Sequence, residues 1–145
     1  VSLGMMTVKE VLSELTDKLN IHGISIYSGN DMECIYSTGH YKNNVIEAAY
    51  VNDDKFVNHF DEYGVNMVNN IASLTIEFPE VFRKLRDNNI CSFLHMKADG
   101  ADGKEYMVEF DIFGTNRRKW SDTDVIMLRM VVLGVVNAIS GQLTD

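Results

Sequence analysis

Apolar and polar residues alternate most clearly between positions 90 and 113, and this pattern predicts two strands. Residues 90–97 and 104–113 each follow the two-residue period of a strand, in which successive side chains point to opposite faces. The connection between them, Ala98-Asp-Gly-Ala-Asp-Gly103, is rich in residues that form turns. The two strands are therefore expected to pair antiparallel.

Two shorter strands are predicted near the start of the chain, at residues 22–27 and 32–37. Ser28-Gly29-Asn30-Asp31 lies between them, and Gly and Asn tolerate the positive backbone angles that a tight turn needs. These residues predict a hairpin.

Helices are predicted before, between and after the two strand pairs. Thr7 and Glu10 form a capping box at the start of the first helix, whose apolar residues share one stripe: Val8, Val11, Leu12, Leu15 and Leu19. In the middle of the chain, Asn52 or Asp53 is expected to cap a helix that runs through Tyr63. A second short helix is expected to begin near Pro79 and to stop at residues 88–89, with its buried side formed by Phe78, Phe82 and Leu85.

The final helix, predicted over residues 122–143 with Ser121 or Asp122 as its N-cap, is apolar on almost every side. The residues expected to cover the sheet are Val125, Leu128, Val132, Val135 and Ile139. A separate stripe of small residues comprises Val131, Gly134, Ala138 and Gly141. This stripe suits close approach by the first helix or by the same helix of a second copy, and we favour a homodimer.

Strand periodicity divides the predicted sheet into two faces. The apolar face comprises Ile24, Ile26, Ile90, Leu94, Met96, Tyr106, Val108, Phe110 and Ile112. The opposite face is chemically mixed and comprises Ser25, Tyr27, Cys91, Phe93, His95, Glu105, Met107, Glu109, Asp111 and Phe113. Terminal helices would cover the first face, whereas the second is either the floor of a pocket or a partly solvated surface.

Composition narrows the class of protein. A chain of 145 residues suits one domain, residues 1–145, and its net charge of −8 disfavours binding to nucleic acid or to an anionic membrane. The apolar stretch 125–136 is interrupted by Arg129 and is shorter than the ~20 residues of a membrane span. The two cysteines, Cys34 and Cys91, are too few for a disulfide framework and have no metal-binding spacing. This cysteine content suits a reducing cytoplasm. The missing initiator methionine suggests a segment of a longer protein.

The segment from Phe113 to Asp124, Phe-Gly-Thr-Asn-Arg-Arg-Lys-Trp-Ser-Asp-Thr-Asp, resembles the end of a GAF domain, the small-molecule sensor module of many signalling proteins. In that family a strand, a polar turn, an aromatic followed by Ser or Thr, and acidic residues lead into a long apolar helix. The resemblance implies an α+β fold of GAF/PAS-like type with an antiparallel central sheet. The terminal helices would lie on one face, and loops and short helices would cover a pocket on the other.

The resemblance also implies a ligand site, although it identifies neither the ligand nor a cofactor, and no metal ligands or catalytic residues are assigned. The candidate ligand-binding residues are Tyr27, Tyr50, Phe56, Phe60, Cys91, Phe93, His95, Glu109 and Asp111. Two carboxylates in a pocket favour a ligand with amine or hydroxyl donors. Bilin-binding members attach their chromophore through a cysteine that usually has a histidine beside it, and both cysteines here lack that neighbour.

Three functions remain open at this point. The first is a non-catalytic sensor that binds a small molecule and acts through its terminal helices on an output domain of diguanylate cyclase or histidine kinase type. The second is a dimerisation module whose pocket is filled by its own aromatic side chains. The third is an enzyme resembling free methionine sulfoxide reductases, with Cys91 as the nucleophile.

Overall fold

The computed structural model describes residues 2–3, 6–28, 33–38, 54–115 and 118–141. The strands are β1 (Ser2–Leu3), β2 (Met6–Thr7), β3 (Gly23–Ser28), β4 (Glu33–Ser37), β5 (Val65–Val68), β6 (Ile90–Asp99) and β7 (Glu105–Phe113). The helices are α1 (Val8–Lys18), α2 (Asp54–Val57), α3 (Pro79–Asp87) and α4 (Asp122–Gly141), with a 3-10 helix at Ile71–Leu74. Five strands form one antiparallel sheet in the order β4-β3-β7-β6-β5, whereas β1 pairs with β2. The predicted α+β class is confirmed.

The terminal helices α1 and α4 pack on one face of the sheet. Leu12 of α1 and Leu128 and Val132 of α4 are fully buried there against apolar side chains of β3, β6 and β7. Both predicted N-caps form: the hydroxyl of Thr7 accepts a hydrogen bond from the Glu10 N–H at 3.2 Å, and the Ser121 hydroxyl accepts one from the Asp124 N–H at 3.1 Å. This layer is the main apolar core.

Arg129 is the one basic residue within the apolar helix α4. Its guanidinium donates a hydrogen bond at 2.8 Å to the carbonyl of Lys97 in β6 and another to the carbonyl of Tyr63. The charge therefore joins the helix to the sheet and to the loop before β5. By length and composition, α4 is the one helix in the described ranges that could cross a membrane, and 28% of its apolar window is buried within the protein.

The other face of the sheet is covered by α2, the 3-10 helix and α3. As predicted, α3 begins at Pro79, and Phe78 and Leu85 are buried while Phe82 is partly buried. These side chains join a second apolar cluster with residues of β5, β6 and β7. The sheet therefore separates two cores, and the short helices lie on the face that the resemblance assigned to a pocket.

The prediction of a helix through Tyr63 is wrong, because the helical turns end at Val57 and residues 65–68 form the edge strand β5. The carboxylate of Asp61 accepts hydrogen bonds from the N–H groups of Tyr63 and Val65 at 2.8 and 3.0 Å, which turns the chain into β5. The side chain of Tyr63 is 73% exposed. The predicted caps Asn52 and Asp53 lie outside the described residues.

A β-bulge in β6 corrects the face assigned to two residues. Ile90 pairs with Phe113 but Ser92 pairs with Ile112, so two steps along β6 match one step along β7. The extra residue reverses the alternation before Ser92. Ile90 therefore lies in the core beneath the short helices and Cys91 packs against the terminal-helix core, the reverse of the prediction.

Candidate functional site

A row of polar side chains crosses the sheet on the face beneath the short helices. The strand register pairs Asn66 of β5 with His95 of β6, His95 with Glu109 of β7, and Glu109 with Ser25 of β3. Directly paired residues project to the same face of a sheet. Each of the four is at most 2% exposed, so the row is polar but closed to solvent.

Asp111 lies beside this row and completes a cluster of three ionisable groups with His95 and Glu109. The Nε2 atom of His95 is 3.0 Å from Oε2 of Glu109 and 3.9 Å from Oδ1 of Asp111. All three side chains are 0% exposed. Neither carboxylate oxygen of Glu109 has a well-aligned hydrogen bond from a described residue, although an interaction with the carboxyl group of Asp111 partly offsets the effect of burial on its pKa. Because buried polar atoms nearly always have well-formed hydrogen bonds, the cluster is an unusual feature of this sheet.

Burial changes the acid–base behaviour of all three groups. It raises the pKa of Glu109 to about 7. Burial, reinforced by the charge of Glu109, raises the pKa of Asp111 well above its ordinary value. Burial lowers the pKa of His95 despite the nearby carboxylate of Asp111. The neutral forms of these side chains are therefore favoured, as expected for ionisable groups removed from water.

Further polar groups extend the row at both ends. The Nδ1 atom of His59 lies 2.9 Å from the side-chain oxygen of Asn66. At the other end, the hydroxyl of Ser25 is 3.2 Å from that of Ser37 in β4. Tyr27 projects to the same face and is 3% exposed, and burial followed by the charges of the two carboxylates raises the pKa of its phenol.

Aromatic side chains cover the apolar side of the cluster. Phe93 stacks on the imidazole of His95 with ring centroids 4.1 Å apart. Phe56 of α2 meets Phe93 edge-on at 6.2 Å and Phe78 at 5.3 Å. These contacts exclude water from one side of the ionisable groups, which accounts for part of their desolvation.

The structure brings most of the predicted site residues to one face: Tyr27, Phe56, Phe93, His95, Glu109 and Asp111. Phe60 is partly buried at the margin of the same cluster, with the ammonium of Lys97 4.5 Å from its ring centre. Cys91 lies on the opposite face, and Tyr50 falls outside the described residues. The role of these residues in ligand binding stays a prediction.

Sequence reasoning missed Asn66 because it did not assign β5. The strand has only four residues, too few for its alternation to stand out from a helical pattern. In its sequence, Val-Asn-Met-Val, Asn66 and Val68 are two positions apart, and both are buried on the face beneath the short helices. The two-residue spacing of Asn66 and Val68 was therefore the one indication in the sequence that Asn66 shares a strand face with a buried apolar residue.

No model of a known protein family matches the chain, and neither does any curated protein. Solved structures do resemble it. GAF3 of Slr1393 from Synechocystis, in its photoproduct state, is 15% identical with a TM-score of 0.68, and the alignment covers 95% of this chain and 96% of that one. A GAF domain/HD domain protein from Geobacter sulfurreducens is 16% identical with a TM-score of 0.61, covering 92% of each chain.

A third similar structure is the phycocyanobilin-bound GAF domain of a cyanobacterial phytochrome, 12% identical with a TM-score of 0.66. It covers 94% of this chain and 86% of its own. At such low identity these similarities establish the architecture alone. The chain has the GAF fold, as its terminal segment predicted.

Proposed function

We propose that the chain is a non-catalytic sensor domain that binds a small molecule at the His95–Glu109–Asp111 cluster and acts through α1 and α4 on an output domain of a signalling protein. The observation that carries this proposal is the carboxylate of Glu109. It is fully buried, without a well-aligned hydrogen bond from any described residue, on the face of a GAF fold that lies beneath the short helices.

Keeping the buried Glu109 side chain in its charged form has an energetic cost, which either a proton or a ligand would offset. Removing a carboxylate from water without a partner costs several kcal/mol unless the group is neutralised. Residues that fold into such an arrangement generally serve binding or chemistry. A ligand that supplies hydrogen-bond donors or positive charge would satisfy the carboxylate, and this defines the chemical class we expect.

The fold also provides a way for binding to reach an output domain. The candidate site lies on one face of the sheet, and the terminal helices lie on the other. A ligand alters the helices only if it binds two of their arrangements with different affinity. Similar structures include a GAF domain described as phycocyanobilin-bound, which supports a ligand-binding role for this fold without naming the ligand here.

The experiment is a ligand screen by thermal shift, followed by hydrogen exchange of the amides in α4. We expect a ligand to raise the melting temperature of the wild-type protein and to change exchange in α4. Glu109→Gln should lose the effect. Glu105→Gln is the matched control, because Glu105 lies on the same strand but its side chain is 50% exposed and pairs with Lys97 at 3.6 Å. Ligands that bind both variants equally would contradict the proposed site.

The position of Cys91 supports the non-catalytic part of the proposal. A cysteine nucleophile needs surroundings that favour its thiolate, such as an adjacent histidine base. Cys91 packs on the terminal-helix side of the sheet, and its thiol lies 3.4 Å from the carbonyl of Ile112, whereas His95 projects from the other side. A Cys91→Ser variant should keep ligand binding. If the wild-type protein reduces methionine sulfoxide and Cys91→Ser does not, the non-catalytic part of the proposal is wrong.

We also propose that the domain acts in the cytoplasm as a homodimer through α4. Three apolar side chains recur along one exposed side of this helix: Ile126, Met130 and Leu133 are 66%, 71% and 52% exposed. The sequence had indicated a different stripe, around Gly134 and Ala138. Sedimentation equilibrium of the wild-type protein and of Met130→Glu provides the test: a monomeric wild type, or a dimer unaffected by the change, would refute this interface.

A further inference from the structure

We propose that the His95–Glu109–Asp111 cluster is a binding site for a divalent transition-metal ion. The ion is either the ligand that the sensor detects or the group through which the sensor binds its small-molecule ligand. This inference deepens the proposed function and rests on it for the link to signalling. The sequence analysis had assigned no metal ligands.

The donor atoms already lie near the separations that a metal requires. Nitrogen and oxygen ligands bind zinc at about 2.0–2.2 Å, so two ligands of one ion are about 3–3.5 Å apart. The atoms Nε2 of His95 and Oε2 of Glu109 are 3.0 Å apart. Oδ1 of Asp111 is 3.9 Å from the same Nε2, and one donor atom from each residue lies within 4.8 Å of the others. Small rotations of the side chains would close the set around one ion.

The unsatisfied carboxylate of Glu109 is the second, independent observation. Neither of its oxygens has a well-aligned hydrogen bond from a described residue. In the part of the chain that the structure describes, no lysine or arginine comes within ion-pairing distance of it. The Nε2 atom of His95 and Oε2 of Glu109 are 3.0 Å apart, a separation that either a proton or a cation between them would stabilise. A divalent ion would satisfy both atoms at once.

The donor set indicates which ions fit. One imidazole and two carboxylates suit zinc, manganese or ferrous iron, whereas magnesium and calcium prefer oxygen ligands alone. Three protein ligands leave at least one coordination position open, as in zinc sites that bind water or substrate. The row around the cluster supplies the supporting groups that orient metal ligands, with Asn66 and Ser25 paired in register beside His95 and Glu109.

The experiment measures Zn²⁺ binding to the whole chain by titration calorimetry after chelator treatment, and records the visible spectrum with Co²⁺. Because the three side chains are fully buried, metal is added both to folded protein and during refolding from urea. We expect one ion per chain and a Co²⁺ spectrum of mixed nitrogen and oxygen ligation. Glu109→Gln should weaken binding by at least about 100-fold, since even groups that only support ligands contribute 10–100-fold.

A control variant separates this site from surface binding. Glu105→Gln should keep wild-type affinity, because Glu105 is half exposed and lies outside the three-residue cluster. Asp111→Asn repeats the test if Glu109→Gln does not fold. The Co²⁺ spectrum tests the site on the wild-type protein itself, so it does not depend on any variant folding. A spectrum of Co²⁺ that is bound only by water would overturn the proposal.

The outcomes also separate the metal site from the sensor function. Loss of metal binding in Glu109→Gln, together with a metal-dependent change of hydrogen exchange in α4, supports both. Metal binding without any change in α4 supports the site and contradicts the sensor. A third outcome is that no metal binds but an organic ligand stabilises the wild type and not Glu109→Gln. In that case the sensor proposal is supported, the metal site is wrong, and a proton neutralises the carboxylate of Glu109. If nothing binds, both proposals fail.

Discussion

The attachment of α4 to the sheet is tested most directly by Ser92→Ala. The indole Nε1 of Trp120, two residues before the helix, donates a hydrogen bond to the hydroxyl of Ser92 at 3.0 Å. That hydroxyl lies 3.0 Å from the carbonyl of Arg118 and 3.2 Å from that of Val68, and its single proton can serve only one of them at a time. Ser92 is 0% and Trp120 3% exposed, so water cannot replace a lost partner.

The expected cost of Ser92→Ala follows from these contacts. A buried N–H left without an acceptor costs about 1–3 kcal/mol, and the lost hydrogen bond from the hydroxyl contributes about 0.5–1.5 kcal/mol more. We therefore expect the free energy of unfolding to fall by about 2–4 kcal/mol. In a Trp120→Phe background there is no indole N–H to leave unpaired, so the same change should cost only about 1 kcal/mol.

The assay is urea unfolding followed by far-ultraviolet circular dichroism for the wild type, both single variants and the double variant. Trp120 is the single tryptophan, so fluorescence cannot be compared across the set. Ser13→Ala on the exposed side of α1 should change stability by less than about 0.5 kcal/mol. If Ser92→Ala costs the same with and without Trp120, the indole hydrogen bond does not hold the helix and the reasoning is refuted.

Two further predictions concern the ends of α4. Gly100→Ala should lower stability by about 1–3 kcal/mol in urea unfolding, because the added methyl would lie 2.7 Å from Cβ of Ser140; unchanged stability would show that this turn can move. Partial burial raises the pKa of Asp124, but hydrogen bonds from Ser121 and the charge of Arg118 outweigh it and lower the net value. The ionised Asp124 side chain therefore stabilises the folded protein above the unfolded pKa of 3.8, and this stabilisation disappears as the pH falls through the lower folded pKa. Asp124→Asn should lower the free energy of unfolding at neutral pH but not in strong acid. An equal loss at both pH values would contradict this prediction.

The elements with long, regular patterns could be predicted from the sequence, and so could the face of the sheet on which most of the candidate residues lie. The alternation of β7 placed Glu109 and Asp111 on one face and Phe110 on the other, and the apolar stripe of α1 identified its buried side. These patterns succeed because each side chain's face is fixed by the geometry of its own strand or helix.

The errors arise where pairing with another strand decides the structure. The bulge at Ile90–Ser92 exists only as a mismatch between β6 and β7, so the alternation of β6 alone put Cys91 on the wrong face. Edge strand β5 forms because it pairs with β6, and a strand of four residues is too short to be recognised from its own alternation. The burial of Glu109 likewise depends on the helices above it, which no local pattern reports.

The hydrogen bonds of Arg129 shorten the route between the candidate site and α4. The carbonyl that Arg129 holds belongs to Lys97, two residues along β6 from His95. A two-residue step spans about 6.5–7 Å of strand. Arg129 therefore gives a displacement of β6 at the site a direct route to the middle of the helix, through hydrogen bonds rather than through the apolar packing between helix and sheet.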